Sequence, residues 1–205
     1  MSSAIEVFGQ WAQSGKDEKM ANGHQSAVDN MLDFALTGRQ DSFSMIDAGC
    51  GNGWVVRQIK EHPLCIQAIG IDGAEAMIDR ALSIDPSGEY FHADLLEWVP
   101  SSPVDLIHSM EVLYYFREPA RVIKHMVDNW LSPSGTLIIG VDHYRENTVS
   151  LDWAEKHNIE FMTTLSQSEW EQAFSSAGLV DVKQWQFAPR ENWAGTLVTT
   201  GQKQV

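Results

Sequence analysis

Apolar positions along the chain change their period several times, and each change marks an element. Val28, Met31, Leu32, Ala35 and Leu36 share one helical stripe within residues 27–36, and Gly38 follows where a helix would stop. From Phe43 onward, short apolar runs alternate with helical stripes. They predict strands at 43–48, 65–71, 89–92, 104–109 and 135–141, with helices at 53–61, 74–84 and 117–131. The helix at 117–131 is the clearest, since Val122, Ile123, Met126, Val127, Trp130 and Leu131 lie on one face and "SPSG" ends it. Alternation of this kind predicts an α/β fold around a mostly parallel sheet.

After Val141 the periodicity weakens. "DHYRENTVSLDWAEKHNIEFMTT" is aromatic and polar, which predicts a long loop or short helices, and long ordered loops tend to carry function. Ser166 and Glu169 form a capping-box pattern for a helix through 177, with Gly178 as its stop. Two strand-like runs follow, 180–188 and 194–200, which read as an antiparallel pair at a sheet edge.

With 205 residues and 43% hydrophobic positions, the chain suits a single domain with a real core. Its 14 basic and 28 acidic residues leave a net charge of -14, a field that repels nucleic-acid backbones. No basic-then-apolar N-terminal stretch is seen, and no apolar run reaches the roughly 20 residues of a membrane helix, so a cytoplasmic protein is expected. Cys50 and Cys65 have no metal-ligand spacing, so reduced thiols and no metal are expected.

The candidate chemistry begins at "MIDAGCGNGW", residues 45–54. Gly49, Gly51 and Gly53, between a strand and a helix, let the backbone turn tightly and a ligand approach the helix N-terminus. A dinucleotide fingerprint would need a small residue where Trp54 stands. Asp47 would repel a pyrophosphate, whereas an ammonium group would be attracted to it. Asp72 ends the second strand 19 residues after Gly53, where its carboxylate can accept from two ribose hydroxyls, and Asp94 in "FHADLLEW" can accept from an adenine amino group. Adenine, ribose and an ammonium-bearing tail together describe S-adenosylmethionine.

Through "IDAGCGNG", "AIGIDGAEAMIDRA", "FHADLLEW", "VDLIHSMEVLYYF" and "LSPSGTLIIG", in that order over roughly residues 40–200, the chain resembles the class I S-adenosylmethionine-dependent methyltransferases of small-molecule type. The resemblance implies a Rossmann-like seven-stranded sheet with an antiparallel edge pair, helices on both faces, and S-adenosylmethionine at the carboxyl ends of the strands. It implies that Asp47, Gly49, Cys50, Gly51 and Gly53 line the methionine moiety and that Asp72 and Gly73 hold the ribose. Asp94 with the Leu95 amide would read adenine, and Ser109 and Met110 would approach the sulfonium. "LSPSG" replaces the family's commoner lysine-proline-double-glycine turn, and Ala74 stands where Ser or Asn often caps the next helix, leaving Gly73 to cap. Cys50 is expected to be a packing residue rather than a nucleophile, because no His pairs with it.

In that architecture the residues after the fourth and fifth strands open onto the methyl group. This makes Glu111, Tyr114, Tyr115, His143, Tyr144 and Arg145 acceptor-side candidates, and the N-terminal segment "FGQWAQSGKDEKMANGH" adds Trp11, Met20 and His24 as lid residues. His143 is the candidate general base, since imidazole takes a proton near neutral pH, with Tyr115 beside it as the second catalytic candidate. Its alternative is an exposed loop histidine. One of Tyr114 and Tyr115 is expected in the core and the other at the pocket, and His108 is expected to be a satisfied buried histidine. The [Asp/Asn]-Pro-Pro-aromatic signature of amide and adenine-amine methylation is absent from "HSMEVLYYF". Eight tryptophans, with Trp11 and Trp153 in the covering segments, point toward an amine or other cationic small molecule as acceptor.

The expected organisation is one domain over 1–205: an N-terminal helical lid at 1–40, a cofactor-binding core at 41–142, a substrate-side insertion at 143–165, and a C-terminal helix with edge strands at 166–205. A monomer or weak homodimer is expected, with no nucleic-acid or membrane partner. Two other readings stay open: a nicotinamide-dependent oxidoreductase, which NAD binding would favour, and a non-catalytic cofactor- or partner-binding protein of the same fold.

Overall fold

The computed structural model describes residues 1–204. In chain order the elements are α1 (Ala4–Ser14), α2 (Lys16–Leu36), β1 (Phe43–Ala48), α3 (Trp54–Lys60), β2 (Cys65–Asp72), α4 (Glu75–Ile84), β3 (Glu89–His92) and β4 (Val104–Met110). After a 3-10 turn (Leu113–Tyr115) come α5 (Pro119–Asn129) and β5 (Leu131–Val141). A second 3-10 turn (Thr148–Ser150), α6 (Trp153–Lys156), α7 (Gln167–Ser176), β6 (Leu179–Phe187) and β7 (Thr196–Lys203) complete the chain.

The seven strands form one sheet in the order β3-β2-β1-β4-β5-β7-β6. β1 to β5 run parallel, and β7 lies antiparallel between β5 and β6. The expected antiparallel pair therefore forms, with β6 at the edge. Chain direction across the sheet reverses between β1 and β4, and a crevice opens at the carboxyl ends of the strands there.

Alternation along each strand sends successive side chains to opposite faces. Ile46, Ile107 and Ile139 pack with Val122 and Ile123 of α5 and Trp170 and Phe174 of α7 on one face. Met45, Leu106 and Ile138 pack with Met31 of α2, Val55 and Val56 of α3 and Ile78 of α4 on the other. Full burial of such a side chain stabilises by about 1.5–3 kcal/mol, so truncating one of these strand residues strikes at the sheet itself. Among the described residues, no helix is long and apolar enough to cross a membrane.

Several boundaries differ from the sequence expectation: α2 begins at Lys16 rather than 27, and the junction of α5 with β5 is shifted. The helix predicted at 117–131 starts at Pro119, which suits a first helical position, and ends at Asn129 because Leu131 already pairs with Val104 of β4. β5 thus begins at Leu131 rather than 135, and a register shift between Val104 and Leu106 absorbs "LSPSG", with Ser134 at φ 62°. Gly73 does not cap α4: Ala74 occupies that position, and Asp72 accepts a hydrogen bond from its amide.

The first helix has a local cause that the apolar periodicity does not reveal. Ser3 and Glu6 form a capping box, so α1 starts at Ala4. It packs on α2 and α4, and a Cβ placed on Gly73 would meet Ile5 Cδ1 at 3.3 Å. Ser2 also bridges to Ile159, tying the N-terminus to the segment after β5. These contacts draw α1 and residues 158–161 over the carboxyl ends of the strands.

Candidate functional site

Beneath that roof lies a cavity of about 490 Å³, within the 300–1,000 Å³ usual for a small-molecule site. Its floor is the glycine loop. Gly49, Gly51 and Gly53 have φ of 80°, 53° and 75°, values that favour glycine. Close packing adds a second constraint at Gly49, where a Cβ would lie 2.2 Å from Val112. The Gly49 and Cys50 amides both donate to the Ile71 carbonyl, at 2.7 and 2.9 Å, which pins the loop to β2.

Asp72, at the end of β2, accepts from the Gly51 amide on one carboxylate oxygen and from the Ala74 amide on the other, each at 2.8 Å. Each oxygen keeps a free lone pair, so the carboxylate can still receive two hydroxyls. Burial raises its pKa, and the two amides oppose that shift. Asp94 accepts from the Leu96 amide at 2.8 Å and faces the cavity together with Leu95 and Gly73. This donor and acceptor set, on a largely apolar wall that includes Trp54 and Met77, fits a nucleoside.

Asp47 departs from the expectation. Its carboxylate bonds His108 Nδ1 at 2.7 Å, and both side chains are buried. His108 is therefore only half satisfied: Nε2 has no partner, and the residue lines the cavity. Cys50 behaves as a packing residue, its sulfur against Gly70, and burial pushes its thiol well above the ordinary range.

On the side toward α2, Glu111 follows β4 with φ 61°, an unusual backbone for a non-glycine residue. One carboxylate oxygen accepts from the Asp142 amide and the other from Tyr114 Oη at 2.7 Å. His24 reaches down from α2 to place Nε2 3.6 Å from Asp142 Oδ2. Burial raises the Glu111 pKa to about 8, and the Asp142 charge adds to the effect. Burial works against a charged His24, but its bond to Asp142 and the charges of Glu111 and Asp142 raise its pKa on balance.

The cavity brings together most of the expected cofactor residues, Asp47, Gly49, Cys50, Gly51, Asp72, Gly73, Asp94, Leu95 and Met110, with Met20, His24, Glu111 and Tyr115 on the acceptor side. The remaining candidates lie elsewhere. Ser109 donates to the Ala48 carbonyl inside the sheet, and Gly53 sits under Tyr90. Trp11 packs edge-on against Phe8 and His157, and Trp153 stacks on Trp193. Tyr114 is the buried member of its pair and touches the site through Glu111 and Tyr115.

His143 is neither in the cavity nor exposed. Nδ1 faces the Ser150 carbonyl at 3.0 Å and Nε2 faces Thr164 Oγ1 at 2.8 Å, which leaves no nitrogen free for an acceptor. Burial lowers its pKa. Tyr144 is buried and donates to the Gly195 carbonyl, while Arg145 pairs with Glu169 on the surface. The loop after Val141 turns these side chains toward Ser150, Thr164, Gly195 and α7, away from the crevice.

Sequence reasoning missed Ile5, Phe8, Asp17, Asn52 and Phe161 in the lining, and Asp142 behind Glu111. The Ser3–Glu6 spacing is the one signal that could have located α1, and with it Ile5 and Phe8.

Residues 17–184 match the family model described as a methyltransferase domain. The chain is 30% identical over 108 residues to trans-aconitate 2-methyltransferase of Klebsiella pneumoniae (strain 342), an alignment covering 46% of this chain and 43% of that protein. It thus spans less than half the length of that relative. Among solved structures, a chain of the complex between the Haloferax volcanii Trm112 methyltransferase activator and a methyltransferase superposes with a TM-score of 0.81 at 24% identity, covering 100% of both chains. The N-methyltransferase NodS of Bradyrhizobium japonicum WM9, solved with S-adenosyl-L-homocysteine, superposes with a TM-score of 0.66 at 20% identity, covering 87% of this chain and 86% of that one.

Proposed function

The chain belongs to the class I S-adenosylmethionine-dependent methyltransferases, and from that premise we propose that it methylates a small, uncharged or cationic acceptor in the cavity beneath α1. One observation carries the acceptor class. The cavity wall holds Asp47, Asp72, Asp94 and Glu111, and among the described residues it holds no lysine or arginine. Trans-aconitate, named for the relative, is a tricarboxylate and would find no lysine or arginine on this wall.

Bound S-adenosylmethionine supplies an electrophilic methyl carbon on a sulfonium leaving group. Asp72 holds the ribose through its two free lone pairs, and Asp94 with Leu95 holds the adenine. Asp47, His108 and the glycine loop surround the methionine tail. Phe8, Met20, Met110 and Tyr115 wall the methyl-facing end, exclude water and fix the acceptor in line, a positioning effect that can supply about 7–11 kcal/mol. Residues 1–40 act as the cover and 41–142 as the cofactor-binding core, and within 143–165 only 160 and 161 reach the cavity.

Calorimetry with S-adenosylmethionine, S-adenosylhomocysteine and NAD tests this reading. Binding of the first two and not of NAD is expected. Binding of NAD alone would overturn it in favour of a redox enzyme.

A further inference from the structure

Glu111, Asp142 and His24 are three polar groups whose ligand atoms lie within 4.8 Å of one another at one end of the cavity. Four features set this cluster apart. Glu111 lines the cavity, but its carboxylate is almost sealed from solvent. Its backbone is held at φ 61°, a conformation unfavourable for a non-glycine residue, with the carboxylate bonded to the Asp142 amide and Tyr114 Oη. Asp142 Oδ1 is buried and has no partner. Two carboxylates packed this closely, with one buried oxygen unpartnered and His24 as their cationic neighbour, form a site that can take up further positive charge.

Building on the methyltransferase reading, we propose that the cluster is the recognition and deprotonation site for an amine acceptor, with Glu111 as the catalytic base and Asp142, His24 and Tyr114 as positioning residues. The ammonium group enters past Met20 and Tyr115 and is held by Glu111, with the Asp142 charge behind it. Glu111 takes one N–H proton and leaves a neutral amine. The nitrogen lone pair then forms the C–N bond as the S–C bond breaks, and that bond's electron pair stays on sulfur. The product is a methylated ammonium, and the proton on Glu111 passes to solvent.

The groups that face Glu111 come from three places: His24 from α2, Tyr114 and Tyr115 from the 3-10 turn, and Asp142 after β5. Their balance suits the task. An ordinary glutamate is too weak a base for an ammonium, whereas one raised to about 8 is far better matched. Unliganded, Glu111 is then mostly protonated at pH 7, and an arriving ammonium displaces that proton.

The test uses the protein loaded with S-adenosylhomocysteine and compares benzylamine, benzyl alcohol, trans-aconitate and zinc ion by calorimetry at pH 7. Buffers of different ionisation enthalpy count the protons exchanged. Benzylamine is expected to bind at least tenfold tighter than benzyl alcohol and to release about one proton. In Glu111→Gln the preference and the proton release should both vanish, with S-adenosylhomocysteine affinity within threefold of wild type. Asp142→Asn, a second variant in case the first folds poorly, should weaken benzylamine and spare the alcohol.

Equal binding of amine and alcohol, preference for trans-aconitate, or a proton release that survives Glu111→Gln would overturn the proposal. So would zinc binding that depends on Glu111 without any amine preference. Failure to bind S-adenosylhomocysteine at the outset would instead reject the methyltransferase reading on which the proposal rests.

Discussion

Asp47 Oδ1 lies 2.7 Å from His108 Nδ1, across paired positions of β1 and β4, with both side chains buried. An acidic residue before a glycine loop thus spends one oxygen on an internal histidine and orients that ring toward the cavity. Asp47→Ala should cost about 1–3 kcal/mol in urea unfolding, because the His108 nitrogen loses its buried partner. His108→Gln should be milder, since an amide can still donate to Asp47. Equal losses in the two variants would count against an orienting role for Asp47.

Asp72 does two jobs that one substitution cannot separate and two can. Asp72→Ala removes the acceptor for the Gly51 and Ala74 amides as well as the ligand-facing lone pairs. It should weaken S-adenosylhomocysteine binding about a hundredfold and lower stability by about 1–3 kcal/mol. Asp72→Asn keeps one acceptor oxygen and should recover most of the stability but little of the affinity. Calorimetry and urea unfolding read the two separately, and wild-type affinity in Asp72→Ala would contradict the ribose assignment.

The raised pKa of Glu111 makes stability depend on pH in a definite direction. The folded carboxyl titrates near 8 and the unfolded one near 4.5, so the folded state binds the proton more tightly. The stability it permits is complete below about 4.5 and is lost as pH rises through about 8. Ligand-free Glu111→Gln should therefore unfold at a higher temperature than wild type at pH 8, and the gap should close toward pH 4.5. Parallel melting curves across this range would show that Glu111 ionises normally.

His143 is bonded through both ring nitrogens to the segment that follows β5. His143→Ala should lower stability by about 1–3 kcal/mol and leave S-adenosylhomocysteine affinity and the pH profile of turnover unchanged. A selective loss of turnover, with stability intact, would restore it as a base.

Much of the molecule was legible from local signals, because those signals act over a few residues. Alternating apolar periods located the five parallel strands, and Ser166 with Glu169 located α7, where the capping box forms as read. Gly49 and Gly51 of the loop and the carboxylates at 47, 72 and 94 were legible as cavity residues, since each sits at or just after a strand end and parallel topology sends those ends to one side. Boundaries slipped where a neighbour intervened, as when pairing with Val104 converted Leu131 from helix to strand.

What the sequence by itself determined was therefore the order of the elements from β1 onward, the sheet class and the glycine-loop side of the cavity. At the other end the sequence named Met20, His24, Glu111 and Tyr115, but which candidates meet there, and that Asp142 joins them, was decided by tertiary structure. His24, Glu111 and Asp142 are far apart in the chain, and no periodicity relates them. They meet because α2 packs over β5 and because the Glu111 backbone turns its carboxylate onto the Asp142 amide. The same packing encloses His143, one residue further on, against Ser150 and Thr164. Whether a titratable side chain faces a ligand or a neighbour depends on such long-range contacts, and residue type and spacing carry no record of them.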